Sequence, residues 1–194
     1  MINYCIIGTY WGKRIYKILK NLNKKVHIFK TNKIYNSKEY FKDLKNFIIK
    51  NNISIVWIAT PPQNRFRIIN FCLNQKVNLV VEKPIILKKD QLKKLQIKIK
   101  FKQKYCFVHF EYIFLNKLKK IKIKNIKLIK MHFHHIKKNK HKINPVLNNG
   151  AHLASIKEVF FKKIKRVKYF VTEGKKNLRL IEIVKPNTKI KIDF

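Results

Sequence analysis

Residues 53–84 read ISIVWIATPPQNRFRIINFCLNQKVNLVVEKP, and the fold is decided there. Two short apolar runs, 55–59 and 77–81, flank a segment of helical pattern at 64–75. Each run ends in a proline-bearing loop, Thr60-Pro61-Pro62 after the first and Glu82-Lys83-Pro84 after the second. Strands buried on both faces read as continuous apolar runs, and parallel neighbours need a helical crossover. The stretch is therefore a strand–helix–strand unit. Ligands of open α/β sheets bind beyond the carboxyl ends of the strands, so Thr60, Pro61, Glu82, Lys83 and Pro84 sit where a ligand is expected.

Upstream, an apolar run at 2–7 stops at Gly8-Thr9-Tyr10-Trp11-Gly12-Lys13. A helical pattern follows, with Ile15, Ile18, Leu19 and Leu22 on one face. Strand, glycine turn and helix make the opening of a dinucleotide-binding unit. Glycines let the backbone approach a pyrophosphate, and the helix start supplies N–H groups and a positive dipole end. The spacing departs from GxGxxG, since Gly8 and Gly12 stand without the middle glycine.

A second strand is expected at 26–29, followed by Phe29-Lys30-Thr31-Asn32 with no acid in reach. In this fold an acid near that point usually holds the ribose hydroxyls. Lys30 and Thr31 suit a 2′-phosphate instead and favour NADP over NAD; drift to Lys is the competing reading. Residues 32–37 leave room for a loop alone, so a crossover helix there is short or lost. Ser37 is placed to cap a helix over 38–50, with Tyr40 at the N3 position.

Downstream, a helix at 91–99, a strand at 105–109 and a hinge helix at 112–121 complete a parallel, doubly wound sheet of Rossmann type. The first domain is thus residues 1–121. From 122 the texture changes. Residues 126–133 alternate apolar and basic side chains, as a half-exposed antiparallel strand does, and 167–172, 178–184 and 189–192 repeat the style. With a loop at 134–149 and a helix at 152–161, residues 122–194 read as an incomplete α+β domain with an open, mixed or antiparallel sheet.

Composition narrows the function. A chain of 194 residues, 46% hydrophobic, can bury a core. No apolar run reaches the roughly 18 residues that cross a bilayer, and the first residues lack a cleavage-site pattern, so a cytoplasmic protein is expected. Cys5, Cys72 and Cys106 lie in apolar surroundings and read as buried, reduced thiols. The net charge of +38 attracts nucleic acid in general. Yet Arg stands only at 14, 65, 67, 166 and 179, while lysines run through every element. A specific nucleic-acid surface gathers Arg and aromatics on one face. The excess of Lys, Asn and Ile fits an AT-rich genome better than a binding face. His132, His134, His135 and His141 have no acid or cysteine beside them, and no metal is expected.

The turn Gly8-Thr9-Tyr10-Trp11-Gly12-Lys13, Ala59-Thr60-Pro61-Pro62 and Glu82-Lys83-Pro84, in this order, resemble the Gfo/Idh/MocA family of oxidoreductases. The Tyr-Trp-Gly-Lys form is similar to members acting on nucleotide-linked sugars. The resemblance implies an NAD(P)-dependent enzyme moving hydride between nicotinamide and a sugar-like hydroxyl or carbonyl. It places Gly8, Thr9, Tyr10, Trp11, Gly12, Ala59, Thr60, Pro61, Pro62, Glu82, Lys83 and Pro84 against the cofactor. Lys83 matches the lysine that helps move the hydroxyl proton. Asn148-Asn149-Gly150-Ala151-His152 matches the family's DxGxH signature, making His152 the catalytic histidine and putting Asn148 where an acid belongs. Ser155 replaces a further acid, and Arg65, counted with the residues expected at the cofactor, replaces the histidine usual after ATPP. An amide hydrogen-bonds a hydroxyl but accepts no proton at neutral pH. These departures leave two alternatives standing: a non-catalytic relative that keeps nucleotide or partner binding, and an imine or biliverdin-type reductase. Family chains are usually longer, and they tend to associate through the second-domain sheet, so the resemblance leaves a homo-oligomer through that sheet possible.

Overall fold

The computed structural model describes residues 1–114, 128–132, 151–152, 154–156, 158–159, 169–173, 178–182 and 189–193. Contacts divide the chain into two compact units, Met1–His109 and Phe110–Phe194.

The first unit alternates strand and helix: β1 (Asn3–Ile7), α1 (Tyr10–Asn21), β2 (Lys25–Phe29), α2 (Lys38–Lys50), β3 (Ile55–Ile58), α3 (Arg65–Cys72), β4 (Asn78–Glu82), α4 (Lys89–Lys102) and β5 (Cys106–His109). A single 3-10 turn, Pro62–Asn64, leads into α3. The strands form one parallel sheet in the order β2-β1-β3-β4-β5. This is the expected doubly wound sheet. The crossover expected to be short or lost after β2 is α2 itself, reached through the loop at 30–37.

Register decides where the loops emerge. Ile7 stands opposite Phe29 and Ile58, Ile58 opposite Val81, and Val81 opposite Val108. Gly8, Lys30, Ala59 and Glu82 therefore leave the sheet in one row. The strand order reverses between β1 and β3, and such a switch point opens a crevice at the carboxyl edge. At that point the backbones nearly touch. Ala59 N donates to Ile7 O at 2.7 Å, and a Cβ on Gly8 would stand 2.5 Å from Ala59 O. Gly8 also holds φ at +127°, a conformation side chains resist.

Helices cover both faces. On one, Ile15 and Leu19 of α1 pack on Ile6 and Val26. Gly12 completes that stripe, its missing Cβ leaving room for Ile6 Cγ2. Ile18 and Leu22, expected on the same face, are 59% exposed; Ile18 lies to the side of the stripe and Leu22 falls beyond the helix end. On the other face, Leu44 and Ile48 of α2, Ile68 and Ile69 of α3 and Leu95 of α4 join Val56, Ile58, Leu79 and Val81 in the main core. Ser37 caps α2 as expected, its Oγ accepting from Tyr40 N at 3.0 Å. Cys5 and Cys72 are fully buried in this core. Burial pushes the Cys5 thiol up to about 12, the Phe29 backbone drawing it back in part.

In the second unit, Glu111–Phe114 form a 3-10 turn, and the rest of the expected hinge helix lies outside the described residues. Among the described residues four strands follow: β6 (Leu128–His132), β7 (Tyr169–Glu173), β8 (Leu178–Glu182) and β9 (Lys189–Asp193). β7 and β8 pair antiparallel, whereas β6 runs parallel to β9, with Leu128 opposite Lys189. The expectation that 126–133 is antiparallel is thereby corrected. Alternating side chains report a strand with two unlike faces, not the direction of its partner. Among the described residues no helix is long and apolar enough to cross a membrane.

Two stability measurements follow from the packing. Gly8→Ala lowers unfolding stability by about 2–4 kcal/mol in urea, through strain and the clash with Ala59 O, whereas Gly12→Ala meets a side chain and costs about 1 kcal/mol. The Cys5 thiol stays neutral in the fold but ionises near its ordinary 9.0 when unfolded. Its contribution is complete below pH 9 and is lost as pH rises toward 12, by up to about 1.4 kcal/mol per pH unit. Denaturant midpoints taken from pH 8 to about 10 in wild type and Cys5→Ala give that slope by difference.

Candidate active site at the carboxyl edge of the sheet

The turn between β1 and α1 consists of Gly8 and Thr9. Thr9, at the helix cap, makes no side-chain bond to the first turn of α1. An anion can therefore take the place of a cap at this positive end. Tyr10 is 77% exposed, and the Arg14 guanidinium lies 4.9 Å from the Trp11 ring and 5.6 Å from that of Tyr10. Gly8 and Thr9 of the turn thus run directly into Tyr10, Trp11 and Gly12 of the first turn of α1.

The end of β2 differs from expectation. Lys30 is exposed, but Thr31 Oγ1 donates to Asp43 Oδ2 at 2.6 Å and accepts from Lys33 N at 3.2 Å. An acid is in reach after all. It comes from the second turn of α2 rather than from the strand, so the local sequence around Thr31 could not show it.

Ala59, Thr60, Pro61 and Pro62 turn away from β3, with Thr60 and Pro62 buried and Pro61 exposed. Arg65, expected to face the cofactor, is 3% exposed beneath the turn. Its Nε donates to Thr60 O at 3.1 Å, Nη2 donates to the same oxygen, and Nη1 donates to Glu82 O and Pro84 O. One planar guanidinium, with five donors in a fixed fork, joins the two proline loops. Burial pulls its pKa down to about 10, opposed by Glu82 and Tyr35. Burial likewise pushes the Tyr35 hydroxyl up, with Thr60 and Arg65 opposing.

Glu82, also expected against the cofactor, is 6% exposed. Its Oε1 accepts from Trp57 Nε1 at 3.1 Å and lies 2.8 Å from His109 Nδ1. The Trp57 and His109 rings meet edge to face, 5.2 Å apart. Sequence reasoning missed both partners. Glu82 and His109 stand opposite each other in the β4–β5 register, and a buried carboxylate needs such a donor. Lys83 and Pro84 follow directly, Lys83 half-buried and Pro84 buried.

In the second unit His152 is 2% exposed, its Nε2 3.6 Å from Glu111 Oε1. Ser155 Oγ donates to His152 O at 2.7 Å, a helix back-bond. Asn148, and His134, His135 and His141, lie outside the described residues, as does the side chain of His132.

Replacing Arg65 tests the clamp. Arg65→Met leaves buried carbonyls without donors and lowers stability by about 2–4 kcal/mol in denaturant titration. Arg65→Lys recovers less than half of that loss, because one ammonium cannot span both loops.

The edge assembled by these loops has relatives among known proteins. A family model described as an oxidoreductase family with an NAD-binding Rossmann fold matches residues 2–110. The WlbA (WbpB) dehydrogenase of Thermus thermophilus, solved with NAD and UDP-GlcNAcA, superposes with a TM-score of 0.69 at 13% identity, over 89% of this chain and 67% of that one. Biliverdin reductase of Synechocystis sp. PCC 6803, solved with biliverdin and NADP+, gives 0.62 at 16% identity, over 91% and 65%. The MviM dehydrogenase of Clostridium difficile gives 0.66 at 18% identity, over 99% and 69%. This chain thus spans about two thirds of their length. A search of curated proteins finds no match. The family match covers more than half of the chain and contains the crevice and the Arg65 clamp, and it is on this ground that the chain belongs to the Gfo/Idh/MocA oxidoreductase family.

Proposed function

We propose that this protein transfers hydride between a nicotinamide cofactor and a hydroxyl or carbonyl carbon of a sugar-like, nucleotide-linked substrate. The observation that carries the reading is the row of Gly8, Ala59 and Glu82 along one sheet edge, with Arg65 tying the second loop to the third. The residues fit the cofactor. A tight glycine turn with an uncapped helix start suits a pyrophosphate, and the Ala59–Pro62 turn forms the neighbouring wall. When bound, the nicotinamide supplies the hydride donor or acceptor.

The chain's own residues do the rest. Lys83, on a loop whose flanking carbonyls are held by Arg65, steadies the substrate oxygen as charge develops and helps move its proton. His152 is the acid–base partner that the family resemblance assigns, with the amide of Asn148 hydrogen-bonding substrate. The expected preference for NADP rested on the lack of an acid near β2. Asp43, held at Thr31, supplies one, and a carboxylate there accepts from a ribose 2′-hydroxyl and repels a 2′-phosphate. NAD is the better fit.

Titration with NADH quenches Trp11 fluorescence saturably at millimolar concentration or below. Absence of saturable binding of either cofactor leaves a non-catalytic relative. Asp43→Asn weakens NADH about tenfold, a change of about 1.4 kcal/mol, and narrows the gap to NADPH. On a panel of nucleotide-linked sugars, Lys83→Ala lowers turnover by about 10²–10⁴ while the cofactor Kd changes less than about threefold.

A further inference from the structure

We infer that the open face of β5 is a stacking platform for single-stranded nucleic acid. Side chains of a strand alternate between the two faces of its sheet. Cys106 packs on the main core, so Tyr105 and Phe107 point to the opposite face, the one that carries α1. There α1 rests on Ile6 of β1 and Val26 of β2. Trp57, Val80 and Phe107 stand opposite one another across β3, β4 and β5. Exposure grows along that row away from α1: Trp57 and Val80 are half-buried, and Phe107 is 61% exposed. Tyr105, directly before β5, is 66% exposed. A parallel sheet ordinarily has both faces covered, and large exposed apolar groups mark a place where something docks.

Ring geometry and charge choose the occupant. The Tyr105 and Phe107 rings lie within 13° of parallel, with centroids 6.0 Å apart. Flat, parallel rings two residues apart on an open sheet offer π-faces to successive bases, and every unpaired base has a face to stack. Residues 91–109 contain six lysines and no acid, and Lys102 and Lys104 immediately precede the ring pair. Glu82 lies on the same face, but it is 6% exposed and engaged with Trp57, so it presents little charge to a docked strand. Charge by itself marks no face of this chain, because lysines run through every element; the rings single this one out. A second copy, also at +38, would set cation against cation. A phosphate backbone instead neutralises the lysines and releases its counterions. Duplex keeps its bases stacked on each other, which leaves the single strand as the form that fits.

The test measures fluorescence anisotropy of a labelled oligothymidylate of about 20 nucleotides with the full chain, beside its duplex with oligodeoxyadenylate. Salt is held at about 0.3 M, where binding by charge alone is weak. Charge alone favours the duplex, which carries the denser phosphates, whereas the platform binds the single strand about fivefold or more tightly than the duplex. A wild type that prefers the duplex overturns the inference. Tyr105→Ala with Phe107→Ala, its fold checked by circular dichroism, weakens the single strand about tenfold or more and changes the duplex less than about twofold. Tyr105→Phe with Phe107→Tyr keeps both rings and retains the affinity. Where the double alanine variant does not fold, Tyr105→Ala decides, with a loss of about fivefold. A folded alanine variant with undiminished affinity, or with equal loss for strand and duplex, overturns the inference. So does polyglutamate that displaces the labelled strand as well as unlabelled oligothymidylate does, since an acidic protein segment would then suffice. None of these outcomes bears on nicotinamide binding at the carboxyl edge.

Discussion

The Arg65 guanidinium is the contact on which the site depends. A parallel sheet ends in carbonyls that no further strand can satisfy, and here those ends also carry the ligand loops. Arg65 gathers Thr60 O, Glu82 O and Pro84 O from one position at the start of α3. Burying a cation is costly, and the fall of its pKa to about 10 shows desolvation outweighing the attraction of Glu82 and Tyr35. Backbone dipoles and the short reach from α3 offset that cost. A neutral side chain there would lack donors, and a lysine would lack reach.

Charge distribution tells the same story on a larger scale. The chain has 47 Lys and Arg against 9 Asp and Glu, so each acid stands in a strongly positive surrounding. Of those in the first unit, Asp43 is engaged with Thr31 and Glu82 with Trp57 and His109. Most lysines of that unit are exposed; Lys83, Lys98 and Lys104 are half-buried. Lys98 is accounted for by Asn70, whose Oδ1 accepts from Nζ at 2.6 Å. Lys83 has its place through the loop that Arg65 holds. The basic surface of that unit is thus a solvated shell, interrupted at the carboxyl edge of the sheet.

Most of the fold was legible because its signals are local. Continuous apolar runs, a glycine turn and a serine cap each report on a few neighbouring residues, and all five strands of the sheet fall within a residue or two of their expected places. What stayed hidden was pairing across the sheet. Asp43 meets Thr31 twelve positions away, and Glu82 meets Trp57 and His109 at 25 and 27. No periodicity carries such contacts. Arg65 and Glu82 were expected at the cofactor because they fall in or beside the two proline motifs, whereas both side chains are buried beneath those loops. The direction of β6 was illegible too, since alternation is identical in parallel and antiparallel strands.

These contacts make the edge one connected body. Gly8 abuts Ala59, so the glycine turn and the turn after β3 cannot move independently. Arg65 joins that second turn to the Glu82–Pro84 loop, and the Glu82 carboxylate joins the loop to β3 and β5. Each link is short and made by a side chain or backbone with little remaining freedom. A ligand meeting such an edge loses only its own motion, because the protein's ordering was completed on folding. Lys83 then combines a fixed backbone with a flexible stem. In the hydride transfer proposed above, that combination lets its ammonium follow an oxygen whose charge changes, while the backbone around it is held.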